Sequence, residues 1–546
     1  MSLADTLVKP LVQRTGTWQE RRAAFRWPEP ERYNIAEETC ERWARVAPDR
    51  IALTYLRPDN EVRAYSYIQL SRASSRLANA FAARGVRRGD RVAVLLPQTP
   101  ETILTHLAAY KLGAIVVPLF TLFGEDGLAY RLGNAGAKVV VTDRANLPKI
   151  AAIRDKLPEL DFIYSIDERE AGSYGFWQEL GKAADACTVA ATGPDDPAFI
   201  SYTSGTTGPP KGALHAHRVL MGHLPGVETH HEGLPQPGDT LWTPADWAWM
   251  GGLTNVMLPA LAYGVPLLAH RMAKFDPDHA FWLMQQMSVR NVFLPPTALK
   301  LMRQSSGWAD LRSVGSGGEA LGADLLDWGR ARLGTTINEF YGQTECNLVL
   351  GNMASLDAPR PGSTGRAVPG SDVAIVDAQG QEVPRGDEGE IAVRRGDRAM
   401  FLEYWQNPAK TDEKFVGEWM LTGDIARMDE DGFVFFSART DDVITSSGYR
   451  IGPSEIEDCL NGDPDVTMAG VIGVPDAVRT EAVRAYVVLR DGAEAAGKAD
   501  SLKSRVRERI SPHVAPRDIV FVDDLPMTAT GKILRRDLRQ KAHEDG

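Results

Sequence analysis

The sequence predicts an α/β protein with a large N-terminal domain of parallel-sheet αβ subdomains plus a β-rich subdomain, followed by a small mobile α+β C-terminal domain. Three observations carry that expectation. From Arg50 onward, short apolar runs alternate with helix-length segments, the rhythm of βαβ units feeding a parallel sheet. Near Gly362 the texture changes, and Gly, Pro and Asp cluster between short alternating runs. A second change near Ala438–Asp442 opens a stretch of about a hundred residues, enough for a separate unit. At 546 residues the chain exceeds what one ordinary core fills.

Taken in order, residues 1–40 are rich in Trp, Arg, Glu and Pro and show no sustained period. Arg91–Leu96 reads as a buried strand and Pro100–Leu112 as a helix, with further strands at Ala114–Leu119 and Ala137–Thr142. Asp196–Tyr202 reads as a strand and Ala213–Gly222 as the opening of a helix, with a glycine-rich loop between them. Thr240–Thr243, Val265–Ala269, Asn291–Leu294 and Ile337–Phe340 are strand candidates; Pro277–Gln286 and Ala323–Leu333 are helical. Asp372–Val376 and Glu390–Val393 alternate like strands of a half-buried sheet. Past the second boundary, Ser454 and Glu457 have capping-box spacing for a helix at Ser454–Leu460. Strands at Ala469–Val474 and Ala482–Leu489 and a helix at Ser501–Ile510 follow. The expected division is 1–438 and 439–546.

Composition excludes several classes. No apolar run approaches the roughly eighteen residues of a membrane span. Met1–Leu7 lacks the basic start and apolar core of a signal peptide. The net charge of −11 argues against a general nucleic-acid binder. Cys40, Cys187, Cys346 and Cys459 are too scattered to suggest a metal or redox pair, which suits a reducing cytoplasm. His230 and His231 are adjacent and expected to point apart, and His215 and His217 fall in the expected helix start; all four read as structural or solvent-facing.

Chemistry concentrates in a few stretches. In Thr203-Ser-Gly-Thr-Thr-Gly-Pro-Pro-Lys-Gly212, Gly205 and Gly208 let backbone N–H groups converge. Ser204, Thr206 and Thr207 add hydroxyls, and Lys211 adds a charge, so the loop can wrap a polyphosphate. A Walker loop needs Gly before its lysine and Ser or Thr after it; Pro210 and Gly212 exclude that reading. Phe340-Tyr-Gly-Gln-Thr-Glu345 ends a strand, where α/β sheets place ligands, although a Thr-Glu pair alone is more often a helix cap. Gly317-Gly-Glu-Ala320 alone reads as a tight turn, and Asp424 and Arg439 alone as surface charges. Lys532 in Pro526-Met-Thr-Ala-Thr-Gly-Lys532 alone reads as a solvated lysine.

Together, in this order and from Thr203 to Lys532, these segments resemble the adenylate-forming enzymes: acyl-CoA synthetases, luciferases and nonribosomal adenylation domains. The type they resemble most is the medium-chain acyl-CoA synthetases. The resemblance implies that Thr203, Ser204, Gly205, Thr206, Thr207, Gly208 and Lys211 meet the phosphates of ATP. It places Gly318, Glu319, Ala320, Tyr341, Gly342 and Gln343 around adenine, Thr344 at the α-phosphate and Mg²⁺ on Glu345. Asp424 and Arg439 would hold the ribose, and Lys532 would be the catalytic lysine. Asp441 would be the pivot of the small domain, bringing Ser447, Gly448, Arg450 and Arg507 to coenzyme A. Ala320 stands where the family commonly has proline, and Ala438 where it usually has glycine.

The implied reaction consumes ATP, a small carboxylic acid and CoA, with no nucleic-acid or membrane partner. Trp249, Met250, Gly317 and Gly342 would line the acyl pocket. Acetate-type relatives carry tryptophan at the position matching Gly342, so glycine is expected to leave room for a medium-chain or branched aliphatic acid, with an aromatic acid next. Carrier-protein loading, light emission and nucleotide sensing are the rival activities. Homo-oligomerisation stays open, and acylation of Lys532 would remove its charge.

Overall fold

The computed structural model describes residues 9–167, 169–203, 209–318, 321–440, 442–446, 449–476, 480–510, 512, 514–528 and 532–544. Among them, two large sheets carry the N-terminal part. In the first, the buried apolar strands Arg91–Leu95, Ile115–Pro118 and Ala137–Thr142 lie parallel and side by side. Each is apolar on both faces because helices cover both, as in doubly wound sheets. Pro197–Thr203 extends this sheet, and Lys211–Ala216 then pairs antiparallel with it. The helix expected from Ala213 therefore begins only at Val219. Residues 211–216 obey strand pairing because Glu403–Tyr404 hydrogen-bonds their other edge.

The second sheet runs Arg366–Ala367, Asn347–Gly351, Ile337–Gln343, Ser313–Gly317, Asn291–Phe293, Leu241–Trp242, Leu267–Ala269, Ile51–Leu56 and Val62–Ser66. The helix Val219–His230 lies fully buried against it, apolar around most of its surface. A five-stranded, largely antiparallel sheet built on Glu388–Arg394 and Trp419–Met428 forms the expected β-rich part. The last sheet pairs Val466–Asp476 with Thr480–Leu489 over a core of its own that includes Val471, Val487 and Leu502.

The segment before Arg50 carries order that its irregular pattern hid. Thr17 and Glu20 form a reciprocal capping box on the helix Trp18–Ala24. Upstream, the Leu11 and Val12 N–H groups donate to the buried Glu228 carboxylate at 2.7 and 2.8 Å, strapping the N-terminus onto the Val219–His230 helix. The capping box expected at Ser454 does not form. The helix runs Pro453–Asn461 from Gly452 without a side-chain cap. Glu457 instead accepts from the Val471 N–H at 2.8 Å and from Arg535 at 2.6 Å, stronger charge-assisted partners than an exposed cap offers.

No helix among the described residues is long and apolar enough to cross a membrane.

Candidate active site

The phosphate-type loop joins two strands. Thr203 and Lys211 are register partners across the hairpin, so the loop leaves and returns at one edge of the sheet. Ser204, Gly205, Thr206, Thr207 and Gly208 lie outside the described residues. Lys211 is half-buried, with its ammonium 4.5 Å from the centre of the Tyr404 ring. Burial lowers its pKa, and the neighbouring Glu345 charge opposes that shift. The Tyr404 hydroxyl donates to Glu345 Oε1. Lys211, Tyr404 and Glu345 thus form one charged cluster behind the loop.

Tyr404 carries no motif that marks it in the sequence. Its only signal is strand pairing with Ala213, a long-range contact that no local pattern encodes.

The Ile337–Gln343 strand delivers the next group. Tyr341 donates its hydroxyl to Asp424 Oδ2 at 2.6 Å, and Gln343 Nε2 donates to the same oxygen at 2.5 Å. Asp424 and Arg439 are register partners, and Arg439 Nη1 stands 3.9 Å from Asp424 Oδ1. Two donors on one oxygen orient the buried carboxylate and leave Oδ1 on the arginine side, a geometry suited to vicinal hydroxyls. Burial, then the Asp424 charge, raises the Tyr341 pKa well above the usual phenol value, so Tyr341 stays a donor.

Lys532 arrives from the C-terminal domain. A hairpin positions it: its N–H donates to Thr528 Oγ1 at 3.0 Å, and the Thr528 N–H donates to its carbonyl at 2.7 Å. The Lys532 Cε lies 3.8 Å from the point where a Cβ on Gly318 would sit, and the Trp249 indole lies 3.6 Å from that point. Gly318 has φ of +109°, a conformation that L side chains rarely adopt. The Lys532 side chain and the Trp249 indole therefore both approach one bare backbone position. Glu319 and Ala320 lie outside the described residues.

Rings continue the apolar side. Trp249 and Phe293 have centroids 5.5 Å apart, as do Phe293 and Phe340. A Cβ on Gly317 would meet the Phe340 ring at 2.6 Å, so glycine lets that ring press on the strand. Gly342 does not open this pocket. A Cβ there would meet the Asn347 carbonyl oxygen at 1.6 Å, because the hairpin to Asn347–Gly351 shifts register beside it. Its side-chain direction is filled by backbone, and the expectation of extra acyl room at this position is corrected. Met250 is buried at the start of the helical turn after Trp249.

The four histidines read from sequence are all buried. His215 sits on a strand rather than in a helix start, and the His230 and His231 rings adjoin at 4.3 Å instead of pointing apart.

Beside the expected pivot, the Thr440 N–H donates to the Gly423 carbonyl at 2.8 Å. Asp442 accepts from Arg535 at 3.2 Å and Arg539 at 2.8 Å, both on the C-terminal side. Asp441, between them, lies outside the described residues, as do Ser447 and Gly448. Arg450 belongs to the Tyr449–Ile451 strand, and Arg507 is exposed in the last turn of Lys498–Arg509.

The residues present fit Mg²⁺. Among those described, no three or more His, Cys, Asp or Glu side chains form an all-protein cage. Mg²⁺ needs none, since it takes one or two carboxylates plus substrate phosphates. Buried Glu345, beside the phosphate-type loop, supplies such a carboxylate.

Comparisons with known proteins bear on this arrangement. A family model described as AMP-binding enzyme matches residues 40–405, and its C-terminal domain model matches residues 455–532. An acetyl-coenzyme A synthetase of Bacillus subtilis is 33% identical over 526 residues, covering 93% of this chain and 90% of the relative. A mitochondrial acyl-coenzyme A synthetase of Homo sapiens is 31% identical over 546 residues, covering 97% and 93%. Among solved structures, an anthranilate CoA ligase in complex with anthranoyl-AMP superposes with a TM-score of 0.87 at 29% identity, covering 94% of this chain and 98% of that one. A benzoate CoA ligase from Burkholderia xenovorans superposes with a TM-score of 0.82 at 28% identity, covering 93% and 100%.

Proposed function

The chain belongs to the AMP-binding enzyme family as an AMP-forming acyl-CoA synthetase, and we propose that its acid is a compact aromatic carboxylate of benzoate size. Enzymes of this class use ATP with Mg²⁺ to convert a carboxylic acid to an acyl-adenylate and pyrophosphate. The CoA thiol then attacks the activated carbonyl, giving acyl-CoA and AMP.

One observation carries the assignment of roles: Lys532 and Trp249 converge on Gly318 from opposite domains. In the proposed site the acid's carboxylate lies beside the Lys532 ammonium, which stabilises the charge developing between carboxylate and α-phosphate. The Thr203–Gly208 loop, Lys211 and Thr344 hold the phosphates, and Glu345 would hold Mg²⁺, which would supply positive charge to offset theirs. Tyr341, Gln343, Asp424 and Arg439 hold the nucleoside. Asp441 is the pivot between units 1–438 and 439–546, and Ser447, Gly448, Arg450 and Arg507 receive CoA after rotation.

The row Trp249–Phe293–Phe340, its neighbouring rings tilted 42° and 41° to one another, supports an aryl acid, because aromatic rings pack favourably edge-to-face and offset against one another. The anthranilate and benzoate ligases that this chain resembles point the same way. The medium-chain or branched aliphatic reading keeps the support of the mitochondrial acyl-CoA synthetase relative, but its argument from Gly342 is gone.

Pyrophosphate release across acids from acetate to decanoate plus benzoate tests the choice. Benzoate is expected to have the highest kcat/KM; a maximum at octanoate restores the aliphatic reading, and one at acetate removes both. Adding free CoA separates a synthetase, which releases acyl-CoA, from an enzyme that loads a carrier protein.

A further inference from the structure

Lys532 stands beside Gly318 only while the C-terminal domain lies against the large one, so a bond that holds the two together also positions the lysine. The helix Pro453–Asn461 of the C-terminal domain meets the large domain through its C-terminal end. The last carbonyls of an α-helix lack partners within it and carry the negative end of its dipole. Two guanidiniums serve them here. Arg505 Nε, from the same domain, donates to the Cys459 carbonyl at 2.7 Å. Arg303 Nη2 donates to the Asn461 carbonyl at 3.0 Å, and Arg303 caps the large-domain helix Pro296–Met302.

The backbone around this contact is cleared for close approach. Gly462 follows the helix, and a Cβ there would meet Asp324 Oδ2 at 2.6 Å and Arg505 Nη2 at 2.8 Å. Only a bare backbone lets this acidic side chain of the large domain come so near. One turn back on the same helix, Asp458 Cβ lies 3.9 Å from the point where a Cβ on Gly322 would sit. Arg303 is half-buried, so its bond to the carbonyl is screened less than one at an open surface. A guanidinium stays charged at any working pH, which makes the bond charge-assisted throughout.

We propose that Arg303 is a positioning residue for acyl-adenylate formation, holding the C-terminal domain where Lys532 meets the reacting groups by capping the Pro453–Asn461 helix from across the junction. This rests on the role given to Lys532 and on the rotation about Asp441 proposed above. Arg303 touches no substrate in this arrangement and acts only through Lys532. Rotation carries Asn461 away from Arg303, so the bond serves the first half-reaction and breaks before the second.

The test is single-turnover measurement of the two halves, with the preferred acid of the panel above, in wild type, Arg303→Met and Arg303→Lys. Methionine keeps an apolar stem and removes the charge, whereas lysine restores a charged donor. Arg303→Met is expected to slow acyl-adenylate formation about tenfold, the effect of one charge-assisted hydrogen bond on an equilibrium, with KM for ATP unchanged. Thioester formation from preformed adenylate should not slow, and Arg303→Lys should recover part of the first half. Arg303→Gln gives the same comparison should Arg303→Met fail to fold. An unchanged first half overturns the proposal, and so does equal slowing of both halves, the result of a general fold defect. Lys532→Ala separates the layers: slowed adenylation there with a normal rate in Arg303→Met removes this inference alone, whereas normal adenylation in Lys532→Ala removes the reading beneath it.

Discussion

Lys532 enters the site from another domain, so its effect should separate by half-reaction. Lys532→Ala is expected to slow acyl-adenylate formation by about 10²–10³-fold, the cost of one preorganised charge donor. Thioester formation from preformed adenylate should change far less. Equal losses in single-turnover assays of the two halves would remove its assigned role. Gly342 gives the opposite kind of prediction. Even Gly342→Ala must displace the Asn347 carbonyl, so the melting temperature should fall and turnover of every acid should drop together. A folded Gly342→Ala that merely changes acid preference would show the backbone contact to be unimportant. Sequence made the two residues equally prominent as motif members; distance alone separates a catalytic approach from a packing constraint.

At the scale of elements, the N-terminal strap makes stability depend on pH through the Val219–His230 helix. Burial raises the Glu228 carboxyl from 4.5 to about 7, against the Tyr263 hydroxyl, the Leu11 and Val12 N–H groups and the Arg14 charge, all of which favour ionisation. The folded state therefore binds this proton more tightly than the unfolded one. Its stabilising contribution is complete below pH 4.5 and is lost as pH rises through about 7. Glu228→Gln should flatten that part of the melting-temperature profile, and an unchanged slope would assign the dependence elsewhere. Parallel strands such as Arg91–Leu95 were legible because continuous apolar runs admit few other readings. The Lys211–Ala216 strand was not, since its pairing to Glu403–Tyr404 spans nearly two hundred residues and outweighs local helix preference.

For the whole molecule, the described arrangement sets Lys532 against Gly318 and brings the C-terminal helix Pro453–Asn461 onto the large domain. Arg303 Nη2 donates to the Asn461 carbonyl at 3.0 Å, and a Cβ on Gly322 would lie 3.9 Å from Asp458 Cβ. That spacing suits a disulfide. Oxidised Gly322→Cys/Asp458→Cys protein should retain pyrophosphate release and lose acyl-CoA formation, with reductant restoring the second half. Full acyl-CoA formation while locked would exclude rotation about Asp441.

The chain's sequence by itself determined the α/β class, the order of the chemical motifs and the need for two units, because each is written in local residue types and their spacing. Only the tertiary structure decided that Tyr404 joins Glu345 and that Gly342 serves the backbone. Those are contacts between residues distant along the chain, and their geometry depends on which faces the packed sheets turn towards each other.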